Sequence, residues 1–522
     1  MTRFITADEA VALIRDGDTV GVGGFGAYCA PDELYAAVAR RYEAEQHPAN
    51  LTLVAGICTG DNTTADKGVN RLMAPGLIET AFVAHLANSP KIANRVGANE
   101  IAGYTLPLGV VVHLLRAIAG GKPGVLTQVG LNTFADPRVE GCRANQKAAD
   151  QGRSVVELMD IHGREALFYP SFPIHVALIR GTYADEDGNI SMDHEALTGM
   201  EMEMAAAVHN PRGIVIAPGW DIVERGSIHP KKVRIHRALV DYVVKAEPER
   251  HRQGYATDAY RPELSGEVRR PTNALAPMAM GVRKIIARRG VLELRPDVVI
   301  NLGIGIPSGV GSVANEEGIA SRAILSLESG PMGGVPVEGV GFAAAVNPEA
   351  IDTICDTLDM YDGGLLDMTF LGAAEIDRNG NVNVSKFGTR CTGPGGFINI
   401  SQSTPKVCFM CAFTAGKSDI AVEDGKLDIR TDGPGVKFIP QVQQISFSAD
   451  YARKTGQEVL YITERAVFRL VEGGIQLTEI APGVDLEKDI LGKMAFKPLI
   501  ADDLKVMDTR IFQAGKMGLA QE

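Results

Sequence analysis

Short apolar runs that end in glycine, proline or polar pairs recur along the chain, and between them apolar positions repeat at helical spacing. Residues 19–22, 175–180, 213–217 and 240–244 read as strands of the first half, and residues 49–145 alternate apolar strands with helical stretches through 50–55, 77–83 and 106–118. Thr6 with Glu9 three residues on forms a capping box for a helix to about Arg15. A glycine loop, Gly23-Gly-Phe-Gly26, follows the strand at 19–22, and Pro31 opens the next helix. Its N–H groups are expected to face an anion. Strand, helix, strand in this order predicts a parallel α/β class.

The plan then repeats. Helix, Arg15-Asp-Gly-Asp, strand, glycine loop and Pro31 are echoed by a helix over about 278–289, Arg295-Pro-Asp297, a strand, the loop Asn301-Leu-Gly-Ile-Gly-Ile-Pro307 and Ser308-Gly309. Ala184-Asp-Glu-Asp-Gly-Asn-Ile190 is echoed by Ile376-Asp-Arg-Asn-Gly-Asn-Val382, both carrying a turn signal. From first loop to turn the separation is 165 residues (Gly23 to Gly188) in the first copy and 77 (Gly303 to Gly380) in the second, so the first copy carries a large insertion. The pattern predicts two pseudo-repeated open α/β domains, over 1–246 and 278–522, with a site in the cleft between them. Residues 247–277, rich in Glu, Arg, Pro and Gly without apolar period, read as a linker.

Composition narrows the field. A chain of 522 residues exceeds one core. A net charge of −12 without a basic run argues against nucleic acid as the main partner. Seven scattered cysteines form no disulfide framework and suggest a reducing, cytoplasmic setting. Cys408-x-x-Cys411 lies in an apolar strand and reads as buried. The first residues resemble neither a signal nor a transit peptide, and no apolar run approaches the ~18 residues of a membrane helix. Ten histidines show no ligand spacing, so no metal is expected; His113 and His175 read as core or cleft residues. Lys417 reads as a solvated lysine with a weaker case for a phosphate contact.

Chemistry concentrates at Ala323-Ile-Leu-Ser-Leu-Glu-Ser-Gly-Pro-Met-Gly-Gly334. The apolar part predicts a buried strand and Ser329-Gly-Pro331 a turn, which puts Glu328 at the carboxyl end of a strand, where α/β sheets bind ligands. There it is either a nucleophile or a turn glutamate. Gly21-x-Gly23-x-x-Gly26, with Glu43 beyond it, also matches the dinucleotide fingerprint, a weak signal alone.

Taken together, residues 16–25, 301–307, 325–330 and 395–400 resemble the signatures of the family I CoA-transferases, and the resemblance spans nearly the whole chain. Phe172 to Asp185, Thr463-Glu-Arg465 and Ile480-Ala-Pro-Gly483 are similar to the single-chain propionate/acetate type. The resemblance implies the NagB/RpiA-like fold and coenzyme A as a substrate with no permanently bound cofactor. It implies Glu328 as nucleophile, Gly303, Gly305, Gly395 and Gly396 on the CoA and glutamyl side, and Gly23, Gly24, Phe25 and Gly26 on the acyl carboxylate side. It also implies short acyl groups (acetate, propionate, butyrate) and a homo-oligomer, tetramer or dimer. An ordinary glutamate is ionised at pH 7, so no separate base is expected. Three departures stand out: Ser329 where Asn is usual, Gly21 inside an apolar triplet, and Cys29 in place of a glycine. A thioesterase using the same glutamate, a non-catalytic CoA-ester sensor and an NAD-dependent oxidoreductase built on the first loop are the alternatives.

Overall fold

The structure, a computed structural model, describes residues 2–271 and 277–521. Two sheets dominate it. The first has eight strands in the order Arg3–Phe4, Tyr242–Lys245, Ile214–Gly219, Val176–Leu178, Thr19–Val22, Leu51–Ile57, Ile78–His85 and Ala102–Thr105, and every neighbouring pair is parallel. Its near-continuous apolar strands fit a sheet covered on both faces. The second has ten strands. Its centre is parallel: Ala323–Ser326, Val298–Leu302, Met368–Gly372, Lys406–Met410 and Glu458–Ile462. Antiparallel strands extend it on both sides. This is the two-fold α/β architecture the repeat predicts.

The repeat extends to single hydrogen bonds. The side chain of Asp185 accepts from the N–H groups of Asp187 and Asn189 and from Asn189 Nδ2 at 3.0, 2.9 and 2.9 Å. Asp377 accepts from Asn379 N–H, Asn381 N–H and Asn381 Nδ2 at 3.0, 2.9 and 3.0 Å. Gly188 and Gly380, inside these turns, both take φ +95°, a left-handed value that glycine adopts without Cβ strain. At the strand ends, Gly23 N–H donates to Leu178 O at 2.9 Å and Gly303 N–H to Phe370 O at 2.8 Å, each on the neighbouring parallel strand. Within the extra length of the first copy lies a small antiparallel sheet of Gly124–Thr127, Arg164–Pro170 and Glu157–Ile161.

Local elements follow their sequence signals with shifted ends. Thr6 and Glu9 make both bonds of a capping box, and the helix they start ends early, as Ala7–Val11. The helix after Pro31 is Asp32–Glu45, and the one expected over about 278–289 is Val282–Val291. Residues 272–276 of the expected linker lie outside the described residues. The part before them is anchored: Gly254 bridges to Tyr28, and the buried His251 faces Gly181 O with Nε2 at 2.9 Å. Among the described residues, no helix is long and apolar enough to cross a membrane.

Candidate active site

Glu328 follows the strand Ala323–Ser326, which pairs in parallel with Val298–Leu302. The chain reverses at once, with Gly330 N–H donating to Leu327 O at 3.0 Å and Leu327 N–H to Pro331 O at 2.9 Å. Gly330 has φ +121°, and a Cβ there would lie 2.2 Å from Asp352 O, so this turn requires glycine. The hydroxyl of Ser329 donates to Ala343 O, which holds the neighbouring Phe342 segment over the turn. Serine thus fills the position with a bond of its own.

The glutamate lines a cavity of about 190 Å³ bounded by both halves of the chain: Phe25, His85 and Asn88 from the first, Gly303, Phe342 and Gly396 from the second. Among the described lining residues Glu328 is the one charged side chain; much of the wall is Ile57, Ile304, Leu371, Val384, Phe397 and Ile400. Burial pushes its pKa up to about 7, while a hydrogen bond from Gly396 N–H pulls the other way. The sequence expectation of an ordinary, ionised glutamate therefore changes: the wall replaces water with apolar surface and favours the protonated carboxyl, raising its pKa toward neutrality.

The glycines near Glu328 allow a close backbone approach. A Cβ on Gly396 would stand 1.9 Å from Glu328 Oε2, and one on Gly395 4.0 Å from Oε1. Gly395 N–H donates to Ala84 O at 3.0 Å and its carbonyl accepts from Leu108 N–H at 2.9 Å, so this segment is laid directly on the first half. Just beyond it, Asn399 Oδ1 accepts from Gly109 N–H at 3.0 Å and its amide donates to both oxygens of Asp362. The seam between the halves therefore runs through the wall of the cavity. Gly303 lines the cavity too, whereas Gly305, at φ +90°, is exposed outside the lining and its carbonyl accepts from Ser308 and Arg283.

The first-half loop is built differently from its expected anion cradle. Gly23 N–H goes to Leu178 O, Gly24 N–H to Glu201 Oε1 at 2.9 Å, and Phe25 N–H to Tyr28 O at 3.0 Å. Phe25 lines the cavity, while Gly23, Gly24 and Gly26 lie behind it. Glu201 is fully buried and its pKa is pushed up to about 8 by burial. It fills space that a side chain on Gly23 or Gly199 would take, since a Cβ there would fall 2.7 or 1.9 Å from its oxygens. Cys29 takes φ +56°, the conformation natural to the glycine it replaces, and its thiol lies 3.5 Å from Leu197 O and 3.7 Å from Glu195 Oε2. Tyr28 reaches across to donate to Gly341 O at 2.9 Å.

His85, Asn88 and Glu201 carry no motif, and the sequence reading missed them. His85 ends the strand Ile78–His85, so the strand-end rule that picked Glu328 is the signal that finds it. Other sequence candidates resolve elsewhere. Glu43 lies on the helix Asp32–Glu45 and not at a strand end, which removes the acid of a dinucleotide site. Cys408 and Cys411 are buried free thiols. Lys417 is exposed, and His175 Nδ1 accepts from Thr19 N–H at 2.9 Å. His113, Cys355 and Asp359 converge closely enough to hold a cation, but the Arg116 guanidinium already binds Asp359 and Asp356. The motif Thr463-Glu-Arg465 is a buried network away from the cavity: Arg465 bonds Glu464 and Asp432 at 2.8 and 2.6 Å, and Glu464 accepts from Phe413 N–H.

Known proteins share this arrangement. Residues 4–246 match the family model described as Coenzyme A transferase. The chain is 42% identical to a caffeate CoA-transferase of Acetobacterium woodii over 99% of both chains. It is 39% identical to the acetate CoA-transferase YdiF of Escherichia coli K12, covering 98% of this chain and 96% of that one. The crystal structure of the acyl-CoA transferase YdiF from E. coli O157:H7, in its thioester complex with CoA, superposes with a TM-score of 0.92 at 38% identity, over 99% of this chain and 97% of that one. With identity of this level along the full length and the same two-fold architecture, the chain belongs to family I of the CoA-transferases, single-chain enzymes that pass CoA from an acyl-CoA to a carboxylate through a glutamyl-CoA thioester in two half-reactions.

Proposed function

We propose that Glu328 is the glutamate that carries CoA, and that the substrates are apolar monocarboxylic acids of the acetate, propionate and butyrate class. One observation carries this reading: Glu328 is the one charged side chain among the described residues lining an otherwise largely apolar cavity. An ionised Glu328 oxygen attacks the acyl carbon, and the carbonyl electrons move to oxygen. Collapse breaks the C–S bond, and the electron pair leaves with CoA thiolate, giving an acyl-glutamyl anhydride. The thiolate then adds to the glutamyl carbonyl and releases the first acid. A second carboxylate reverses both steps.

Gly303, Gly395 and Gly396 serve the CoA and glutamyl side in this scheme, Gly305 the outer rim, and Phe25 the acyl side. The Gly396 N–H, already bonded to Glu328, is the donor for the glutamyl oxyanion. Absence of Lys and Arg from the described lining residues favours monocarboxylates over diacids, whose second charge would be buried unpaired. Three phenylalanines in the wall, Phe25, Phe342 and Phe397, support a second reading in which an aromatic acid is accepted, as the name of the A. woodii relative suggests. The domain division at 1–246 and 278–522 is supported by the sheets, whose strands come from residues 3–245 and 298–506. We infer a homo-oligomer, tetramer or dimer, which light scattering on the purified protein checks.

Brief incubation with acetyl-CoA and no acceptor, followed by intact-mass and peptide analysis, tests the reading. The expected result is a gain of CoA less water on the Glu328 peptide that disappears when acetate is added. Acetyl-CoA consumed without adduct would contradict it. Parallel rates with propionate, caffeate and succinate rank the acids, with succinate expected last.

A further inference from the structure

The acyl side of the cavity poses a problem of supply. Attack on the acyl carbon creates an oxyanion, which needs hydrogen-bond donors already in place. The glycine loop expected to provide them has spent the N–H groups of Gly23, Gly24 and Phe25 inside the protein. Asn301, another polar lining residue, is spent as well: its amide donates to Ser326 O and Tyr361, and its oxygen accepts from Thr369. Two lining side chains remain. The His85 ring makes a side-chain hydrogen bond with Asn88, while its Nδ1 is buried and has no hydrogen-bond partner, a costly state for a polar atom. Asn88 stands beside it, facing Gly26, where a Cβ would lie 3.5 Å from Asn88 Nδ2. A single point, the Cβ position of Gly395, is 3.9 Å from His85 Cβ and 4.0 Å from Glu328 Oε1, so the root of the His85 side chain and the Glu328 carboxyl flank the same glycine.

We propose that His85 and Asn88 are the donors for the acyl oxygen, holding the thioester carbonyl of the acyl-CoA and the carboxylate of the acceptor acid opposite Glu328. This rests on the assignment of Glu328 as nucleophile. In the first step the Glu328 oxygen bonds to the acyl carbon, the carbonyl π pair moves onto oxygen, and the His85 N–H and Asn88 N–H₂ donate to that oxygen. Loss of CoA thiolate restores the C=O. No proton changes hands, and His85 keeps its own throughout. Burial supports this role by pushing the His85 pKa down to about 4, which keeps the ring uncharged during turnover. An uncharged donor pair holds one carboxylate without a permanent ion pair that would retain the product acid.

The test uses the full-length enzyme with propionyl-CoA and no acceptor, quenched at short times, following the CoA adduct on the Glu328 peptide. Loss of one oxyanion donor lowers rates about 10²–10³-fold. His85→Leu and Asn88→Ala, each of which removes one donor, are expected to slow adduct formation about 100-fold, and His85→Gln, which retains an N–H, about tenfold. Affinity for CoA alone, measured by calorimetry, is expected to stay within twofold in all three. Adduct formation by His85→Leu within threefold of the parent enzyme would overturn the proposal, as would equal losses in Leu and Gln variants accompanied by lost CoA affinity. If the Leu variant does not fold, Asn88→Ala decides, because the Asn88 carbonyl that accepts from Asn62 N–H is retained; a rate within threefold there is also fatal. Absence of any Glu328 adduct in the unmodified enzyme is a separate outcome and overturns the parent assignment along with this one.

Discussion

Replacing Glu328, the proposed nucleophile, by glutamine makes the cost of burying its carboxylate measurable. In the folded protein its carboxyl holds a proton up to about 7, against 4.5 for the solvated group, because burial removes water from the charged form. At 1.36 kcal/mol per pH unit this corresponds to about 3 kcal/mol. Its sign follows from proton counting. Below about 4.5 both folded and unfolded chains are protonated and the site costs nothing through ionisation. As pH rises the unfolded chain releases its proton first, so stability falls until about 7 and stays lower above it. Glutamine cannot ionise. Glu328→Gln is therefore expected to match the parent near pH 4.5, apart from a constant offset, and to gain about 3 kcal/mol relative to it by pH 8. For a cooperative unit of 150–250 residues, about 2–4 °C per kcal/mol turns this into a relative rise of about 6–12 °C. Thermal melts of both proteins at pH 5 and pH 8 measure it. A difference between variant and parent that does not change with pH would refute the claim that burial holds the carboxyl protonated, and restored transfer by the variant would refute its role.

Three more outcomes test other parts of the structure. The pH profile of kcat/KM for the acyl-CoA, which reports the free enzyme, is expected to rise about tenfold per pH unit below about 7 and level off above it, because in the proposed mechanism it is the ionised Glu328 that attacks and burial raises its pKa to about 7; a flat profile down to pH 5 would contradict the assignment. Gly396→Ala drives a methyl to within 1.9 Å of Glu328 Oε2, so adduct formation is expected to fall at least 100-fold, with near-normal rates counting against the close packing. Arg465→Ala leaves Glu464 and Asp432 without their buried partner and is expected to destabilise the protein by about 3–5 kcal/mol, read as a lower denaturation midpoint; an unchanged midpoint would refute the network's role.

Where backbone chemistry writes itself into residue type, the sequence was readable. Aspartate-turn duplication, glycine at strand ends and a glutamate before Ser329-Gly330 each leave a local mark, and the structure repeats them bond for bond at Asp185 and Asp377. What stayed hidden depends on partners far along the chain. Glu201 meets Gly24 across 177 residues, and no local pattern announces that such a carboxylate will consume the loop's N–H. His85 ends a strand, a local signal, but its place beside Gly395 of the other half is set by a contact that no local pattern records. Cys29 illustrates the reverse: an apparent defect in a glycine loop proves to keep the left-handed backbone. The ionisation of Glu328 is also a property of the assembled wall and not of the glutamate itself.

The enzyme handles a free thiol at every turnover, and this gives the placement of its cysteines a redox meaning. A mixed disulfide between CoA and protein requires a protein thiolate within reach of an oxidised partner. All seven cysteines are buried, none lines the cavity, and burial raises the pKa of every one. In the proposed mechanism, CoA thiolate released beside Glu328 thus meets a carboxyl derivative and no competing sulfur among the lining residues. A disulfide of CoA entering the cavity finds no thiolate among its lining residues to attack it, so thiol–disulfide exchange with the protein has no partner where the transfer chemistry is proposed to occur.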